Sequence, residues 1–328
     1  MILVVLFKKI KEGTYVIEVK NVTKKYGNFI AIDNINFTIN DGEIVGLLGP
    51  NGAGKSTTMN MITGFIEQTE GTIVINGHNI LTNSKKAKKE IGYMPEGVPL
   101  YQDLTVKEYV TYMAELRKVN SKNKKRYVLD AIEKVGIANV QNKLIRNLSR
   151  GYKQRVSMAG ALVGEPKILI LDEPTVGLDP EQVKEIRELI KKFGKEHTVI
   201  LSSHILSEVS QICNKVIIIN KGKILAIDTP ENLEKANTSN NILYVTVEDN
   251  ENKMEKIVKE KIKEIKEIEL LEKNDDKTKK YAITSDNVDL RKKLFEVLAK
   301  EGITIFEMKK SESSLEDAFI KIIKKEEK

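Results

Sequence analysis

From about Tyr15 to Ile227, short β-branched apolar runs alternate with longer stretches whose apolar positions recur at helical spacing. That alternation predicts a parallel sheet sandwiched by helices. Ile44–Leu48, Ile168–Leu171, Val199–Leu201 and Lys215–Ile219 read as buried strands. Thr105–Lys118 and Lys124–Val135 instead run helix after helix, which predicts an α-helical insert at about residues 97–160 between two α/β blocks. After Asp228-Thr229-Pro230 glycine becomes scarce and Lys/Glu-rich helices appear between short strands. The predicted order is strand Ile242–Glu248, helix Met254–Ile265, strand Glu267–Glu272, strand Lys280–Thr284, helix Val288–Lys300, strand Ile303–Met308, helix Ser314–Lys324. Its βαββαβ core is that of a ferredoxin-like split βαβ unit. Met254, Ile257, Val258, Ile262 and Ile265 share one helix face, and Leu290, Leu294, Val297 and Leu298 share another. The expected domains are therefore residues 1–228 and an α+β domain at 229–328.

Composition narrows this picture. The 328 residues are 41% apolar, enough to build cores, and the net charge is +7. The basic excess belongs to residues 1–228, with 33 basic against 24 acidic residues, whereas residues 229–328 carry 21 against 23. A single cysteine, Cys213, cannot form an internal disulfide, and His78, His197 and His204 offer no metal-ligand spacing. A reducing compartment fits. No apolar run approaches the ~20 residues of a membrane span. The run Met1–Phe7 precedes Lys8, Lys9 and Lys11, with charge on the wrong side for a secretory signal.

Three segments carry chemistry. Gly49-Pro50-Asn51-Gly52-Ala53-Gly54-Lys55-Ser56-Thr57 follows a predicted strand and opens a helical run from Lys55 to Ile66, the context a phosphate loop requires. Its glycines let consecutive N–H groups face a phosphate at a helix N-terminus. Lys55 then reaches the β- and γ-phosphates, and the Ser56 hydroxyl takes a Mg²⁺ position. Ile168–Leu171 ends in Asp172-Glu173-Pro174. Asp172 there can hold Mg²⁺ through water while Glu173 addresses the water that attacks the γ-phosphate. Between them, Leu148-Ser149-Arg150-Gly151-Tyr152-Lys153-Gln154-Arg155 reads as a Ser N-cap opening a helix, a second anion-favouring terminus.

With these three segments in order, residues 16–230 resemble the nucleotide-binding subunit of an ABC transporter, whose LSGGQ signature stands just upstream of its second Walker motif. The resemblance implies a P-loop ATPase fold using ATP and Mg²⁺. Tyr26 matches the aromatic that stacks on adenine. Ser149 and Gly151 match the signature that caps ATP bound to the opposite subunit, and Asp179 matches the loop linking the two sites. His204 matches the histidine at the γ-phosphate. Three departures stand out: Glu96 replaces the family's usual Gln, and Arg150 and Tyr152 replace signature Gly and Gln. Glu96, the LSRGYKQR form and a domain after residue 230 together resemble the subgroup of multidrug, antibiotic and ABC-2-type exporters.

The implied function is an ATPase that dimerises around two ATP molecules, as homodimer or heterodimer, and drives separate membrane-spanning permease subunits. Force would pass through a groove near Glu96 to Val110, at the cytoplasmic face of the membrane. The competing class is a soluble ABC ATPase acting on nucleic acid or ribosomes, which the basic excess favours superficially. Such proteins usually carry a long coiled coil between the motifs or two cassettes per chain. Here Ser56 and Ser149 are 93 positions apart, with neither sustained heptads nor a second phosphate loop. No specific nucleic acid is expected.

Overall fold

The computed structural model describes residues 15–97, 100–236, 241–249, 253–273, 278–285, 289–310, and 316, 319, 322 and 323. The Met1–Phe7 run and most of the expected helix Ser314–Lys324 lie outside them. The chain forms two compact units, Met1–Pro230 and Glu231–Lys328.

In the first unit the order is β1 (Tyr15–Tyr26), β2 (Phe29–Asn40), β3 (Ile44–Leu48), α1 (Lys55–Ile62), β4 (Glu70–Ile75), β5 (His78–Asn79), α2 (Ser84–Lys89) and β6 (Ile91–Met94). Then come α3 (Val106–Leu116), α4 (Ser121–Lys134), α5 (Arg150–Leu162), β7 (Ile168–Leu171), α6 (Pro180–Phe193), β8 (Thr198–Ser203), α7 (Leu206–Ile212), β9 (Lys215–Asn220) and β10 (Lys223–Asp228). Six strands form one sheet in the order β10-β9-β3-β8-β7-β6. All neighbours from β9 to β6 are parallel, and β10 closes the edge antiparallel to β9. Every residue of β3 and β7 is buried, as strands covered on both faces must be.

The purely parallel expectation needs correcting for residues 15–79. A second, antiparallel sheet, β2-β1-β4-β5, lies there. Its strands bury alternate residues, such as Ile35, Phe37 and Ile39 in β2, because one face is solvated. Register shifts at Val19/Val22 and left-handed backbone at Asn21 and Asn34 interrupt that alternation. Both sheets share one core, in which Val19, Ile32 and Ile73 meet Val45, Ile170 and Ile217 beside Met59 and Ile62 of α1. Helix α1 ends at Ile62 rather than Ile66, since Gly64 turns left-handed at φ 67°.

Three helices, α3 to α5, occupy the stretch between β6 and β7. A capping box fixes the start of α3: Glu108 N–H donates to Thr105 Oγ1 at 3.2 Å, and Thr105 N–H donates to Glu108 Oε2 at 2.8 Å. These bonds to the Thr105 backbone and side chain hold the Glu108 carboxyl below its usual range.

The second unit contains α8 (Pro230–Ala236, which begins on the boundary), β11 (Asn241–Glu248), α9 (Met254–Lys261), β12 (Ile265–Lys273), β13 (Thr278–Ser285), α10 (Arg291–Lys300) and β14 (Ile305–Lys310). Helix α9 ends four residues before the expected Ile265, which instead opens β12. The sheet order is β12-β13-β11-β14, antiparallel throughout. Leu243, Val245 and Val247 meet Met254, Val258, Leu294 and Leu298 in a core of its own. A buried polar knot sits at its end, where Tyr281 OH donates to Asp249 Oδ2 at 2.6 Å and Lys279 Nζ lies 3.6 Å from the same oxygen. Burial, then this bond, pushes the Tyr281 phenol above its ordinary range.

Leu294 is fully buried, so Leu294→Ala should remove about 2–5 kcal/mol from the stability of the second unit. Hydrogen exchange resolved by segment should show faster opening over residues 241–310, with protection over residues 15–230 retained.

Candidate nucleotide-binding site

Parallel strands end on a common edge, and five of them deliver the chemistry there. The loop after β3 curls over the start of α1 through Gly54, which stands at φ 109° and makes no side-chain cap. Gly49 is required for a different reason, since a Cβ at that position would overlap the Ile219 carbonyl. Gly222, after β9, donates to Ala53 O at 2.9 Å and backs the loop. Lys55 folds back over it, donating to Gly49 O at 2.7 Å and Pro50 O at 3.3 Å. Its ammonium also lies 3.8 Å from Glu173 Oε1, with both side chains 7% exposed.

The carboxylates at the end of β7 are locked by β8. Ser202 Oγ donates to Asp172 Oδ1 at 2.5 Å and accepts from Glu173 N–H at 2.8 Å. One hydroxyl therefore fixes two adjacent residues whose side chains diverge. Glu173 adopts φ 49°, a left-handed conformation uncommon for a non-glycine residue and concentrated at functional sites. His204 Nδ1 lies 2.9 Å from Glu173 Oε2. An ionised carboxylate only accepts, so that nitrogen carries the hydrogen. Burial, then the Asp172 charge, pushes the neighbouring Tyr93 phenol up to about 12.

A cavity of about 510 Å³ gathers most of the expected residues. Pro50, Asn51, Gly52, Ala53, Gly54, Lys55, Ser56 and Thr57 line it, together with Glu96, Glu173 and His204. Tyr26 lines it as well, half exposed, with the Lys24 ammonium 4.9 Å from its ring centroid. Asp172 and Gly49 are not on the cavity wall, though Asp172 lies directly behind Glu173 and Gly49 accepts from Lys55. The sequence pattern did not flag Phe29, which faces Tyr26 across the β1–β2 hairpin, lines the cavity and is 67% exposed. Ser202 was missed as well, because only β7–β8 pairing brings it to Asp172.

Ser149, Gly151 and Asp179 line a second cavity, of about 440 Å³. Ser149 caps α5 and Asp179 caps α6, accepting from Gln182 N–H at 2.9 Å. A Cβ at Gly177, which stands at φ 71°, would overlap the Arg150 guanidinium, so the unusual arginine lies directly on the loop before Asp179. Tyr152 OH accepts from Asn139 Nδ2 at 3.3 Å. One chain thus presents the phosphate loop and the Ser149 helix terminus on separate surfaces.

Phosphate loop, paired carboxylates and parallel sheet define a P-loop nucleotide hydrolase. Residues 32–176 match the family described as ABC transporter. The bacitracin transport ATP-binding protein BcrA of Bacillus licheniformis is 35% identical over 310 residues, spanning 94% of this chain and 97% of that protein. The lantibiotic transport ATP-binding protein SrtF of Streptococcus pyogenes is 37% identical over 232 residues, 70% of this chain and 98% of that one. Among solved structures, a dimeric ATP-binding cassette in a post-hydrolysis state, bound to ADP and Pi, is 27% identical with a TM-score of 0.59. That match covers 65% of this chain and 98% of the other. The chain belongs to the ABC transporter family as an ATP-binding subunit, and it is an ATPase.

Ser202→Ala leaves the buried Asp172 carboxylate and Glu173 N–H without their shared partner. It should lower stability by about 1–3 kcal/mol in a denaturant titration. An unchanged midpoint would show that the hydroxyl does not hold the strand ends together.

Proposed function

We propose that this chain powers an exporter as one of two ATPase subunits, each ATP being held between the phosphate loop of one subunit and Ser149 and Gly151 of the other. The observation carrying this reading is the separation of the two surfaces: Lys55 and Glu173 line one cavity, Ser149 and Asp179 another. The dimeric likeness bound to ADP and Pi supports it. Export is supported by the antibiotic-transport names of the relatives. The partners are separate permease subunits, met through the groove near Glu96 to Val110, with the chain peripheral at the cytoplasmic face. Among the described residues no helix is long and apolar enough to cross a membrane. Residues 1–228, with the helical insert at about 97–160, form the ATPase. Residues 229–328 form an accessory ferredoxin-like domain, a reading supported by the β12-β13-β11-β14 order.

Glu173, Lys55 and His204 carry the reaction. ATP replaces the Gly49 and Pro50 carbonyls as partner of the Lys55 ammonium, which draws in the β- and γ-phosphates. The N–H groups from Gly52 to Thr57 cradle the phosphates at the helix terminus. Glu173 orients and deprotonates the attacking water, and His204 holds Glu173 while facing the γ-phosphate. Tyr26 stacks on the base. Asp179 relays between the two sites.

The donor set fits Mg²⁺. Ser56 and Glu96 supply oxygens on the cavity wall and Asp172 one just behind it, all hard ligands. Among the described residues no group of three or more His, Cys, Asp or Glu could hold a metal alone, so these residues would hold the ion together with the bound nucleotide. When bound, Mg²⁺ neutralises charge developing on the β- and γ-oxygens.

Tyr26→Ala should weaken ATP and GTP binding together by about 1–3 kcal/mol in calorimetric titration, since stacking accepts any planar base. Glu173→Gln keeps size and hydrogen bonding but removes the base. Hydrolysis should fall by about 10²-fold or more with ATP still bound. The variant should then accumulate as an ATP-bound dimer on size exclusion. A Glu173→Gln chain hydrolysing ATP at the wild-type rate would falsify the assigned role.

A further inference from the structure

We propose that Glu208 is a positioning residue for ATP hydrolysis: its buried carboxylate bolts the loop carrying Glu173 to the helix that follows His204. The proposal rests on the role given to Glu173 above. Thr175 Oγ1 donates to Glu208 Oε2 at 2.6 Å, with the two residues 4% and 6% exposed. A carboxylate removed from water to this extent is retained only against strong compensation. Its place in the first turn of α7, where the helix dipole favours an anion, supplies part of that compensation. The Thr175 hydroxyl supplies more.

The bond closes a ring around the reacting groups. Thr175 is two residues beyond Glu173, Glu208 is four beyond His204, and Glu173 Oε2 meets His204 Nδ1 at 2.9 Å. The Glu173 side chain is thus tied to His204 at one end, while its loop is tied to the same segment at the other. Such closure is what the left-handed Glu173 backbone needs, because a sparsely populated conformation persists only when its surroundings over-determine it. Ser202 grips the Glu173 N–H, and Gln154 Nε2 donates to Pro174 O at 2.6 Å. Both of those bonds hold loop backbone from β8 and α5. The Thr175–Glu208 bond joins the loop to α7, and so sets Glu173 and His204 against each other as a unit. Beyond Thr175 the chain reaches Gly177 and Asp179, so the bolt also separates the fixed base from the segment facing the other subunit.

The test uses full-length protein and steady-state ATP hydrolysis. Thr175→Val, close in shape and lacking the donor, and Glu208→Ala should each lower kcat by about 10²-fold, the loss expected from a base displaced by an ångström. KM for ATP should stay within about twofold, since the phosphate-loop contacts remain. Glu208→Gln, whose amide oxygen still accepts from Thr175, should recover most of the rate. In a Glu173→Gln background Thr175→Val should add no further loss, because it acts through a base already removed. Unchanged kcat in Thr175→Val overturns the proposal. So does a full additional loss in the Glu173→Gln background, or a rise in KM as large as the fall in kcat, either of which marks a merely structural bond. A Glu173→Gln chain at the wild-type rate sinks the underlying role itself, and any bolt acting through Glu173 with it.

Discussion

Parallel strand pairing is the constraint on which this molecule depends. Strands β9, β3, β8, β7 and β6 run in one direction, so the segments that leave them emerge on one edge. Gly222, the phosphate loop, His204, the Asp172–Glu173 pair and Glu96 are spread from residue 49 to residue 222, yet that geometry brings four of these five groups to one cavity, and the fifth, Gly222, backs the phosphate loop. Ladder registers then set their relative heights. Ile200 pairs with both Val45 and Ile170, which keeps the phosphate loop, His204 and the carboxylates in step. Hydrogen bonds across the strand ends finish the arrangement, with Ser202 placed by β8 to bridge two residues placed by β7.

How much of this was readable from the chain follows from which forces are local. Ile44–Leu48 and Ile168–Leu171 were legible to the residue because strands buried on both faces are continuous apolar runs bounded by Gly or acid. The phosphate loop and acidic pair were legible because each lies beside its strand in sequence. The antiparallel sheet at residues 15–79 was not, since bulges near Asn21 and Asn34 interrupt the period of two that would have revealed it. The apolar pattern carries helix α1 on to Ile66, whereas the left-handed turn at Gly64 ends it at Ile62. Phe29 gave no signal, being one apolar residue among several in β2 until the hairpin sets it opposite Tyr26. Ser202 and Glu208 acquire meaning only through partners some thirty positions away in the chain.

The departures from the family pattern also find physical places. Arg150 lies over the backbone of Gly177, a position that no side chain at residue 177 could share. Tyr152 is held by Asn139. Glu96 puts a carboxylate on the wall of the cavity that the phosphate loop also lines, adding an oxygen donor together with a negative charge near incoming phosphates. None of these substitutions interrupts the phosphate loop or the Ser202 bridge, so the hydrolytic edge stays whole while the surface around Ser149 is remade.

In the proposed dimer each ATP is shared between two chains, one supplying Lys55 and the other Ser149. Sharing can be read from a mixture of two inactive proteins, Lys55→Ala and Ser149→Arg, with ATP hydrolysis measured against each alone. In a mixed dimer one site combines both defects, while the other combines the intact phosphate loop of the Ser149→Arg chain with the intact Ser149 of the Lys55→Ala chain. Each protein alone should be silent, and their mixture should regain hydrolysis. A Ser149→Arg chain that hydrolyses ATP alone at the wild-type rate, or mixed dimers that form and stay silent, would contradict it.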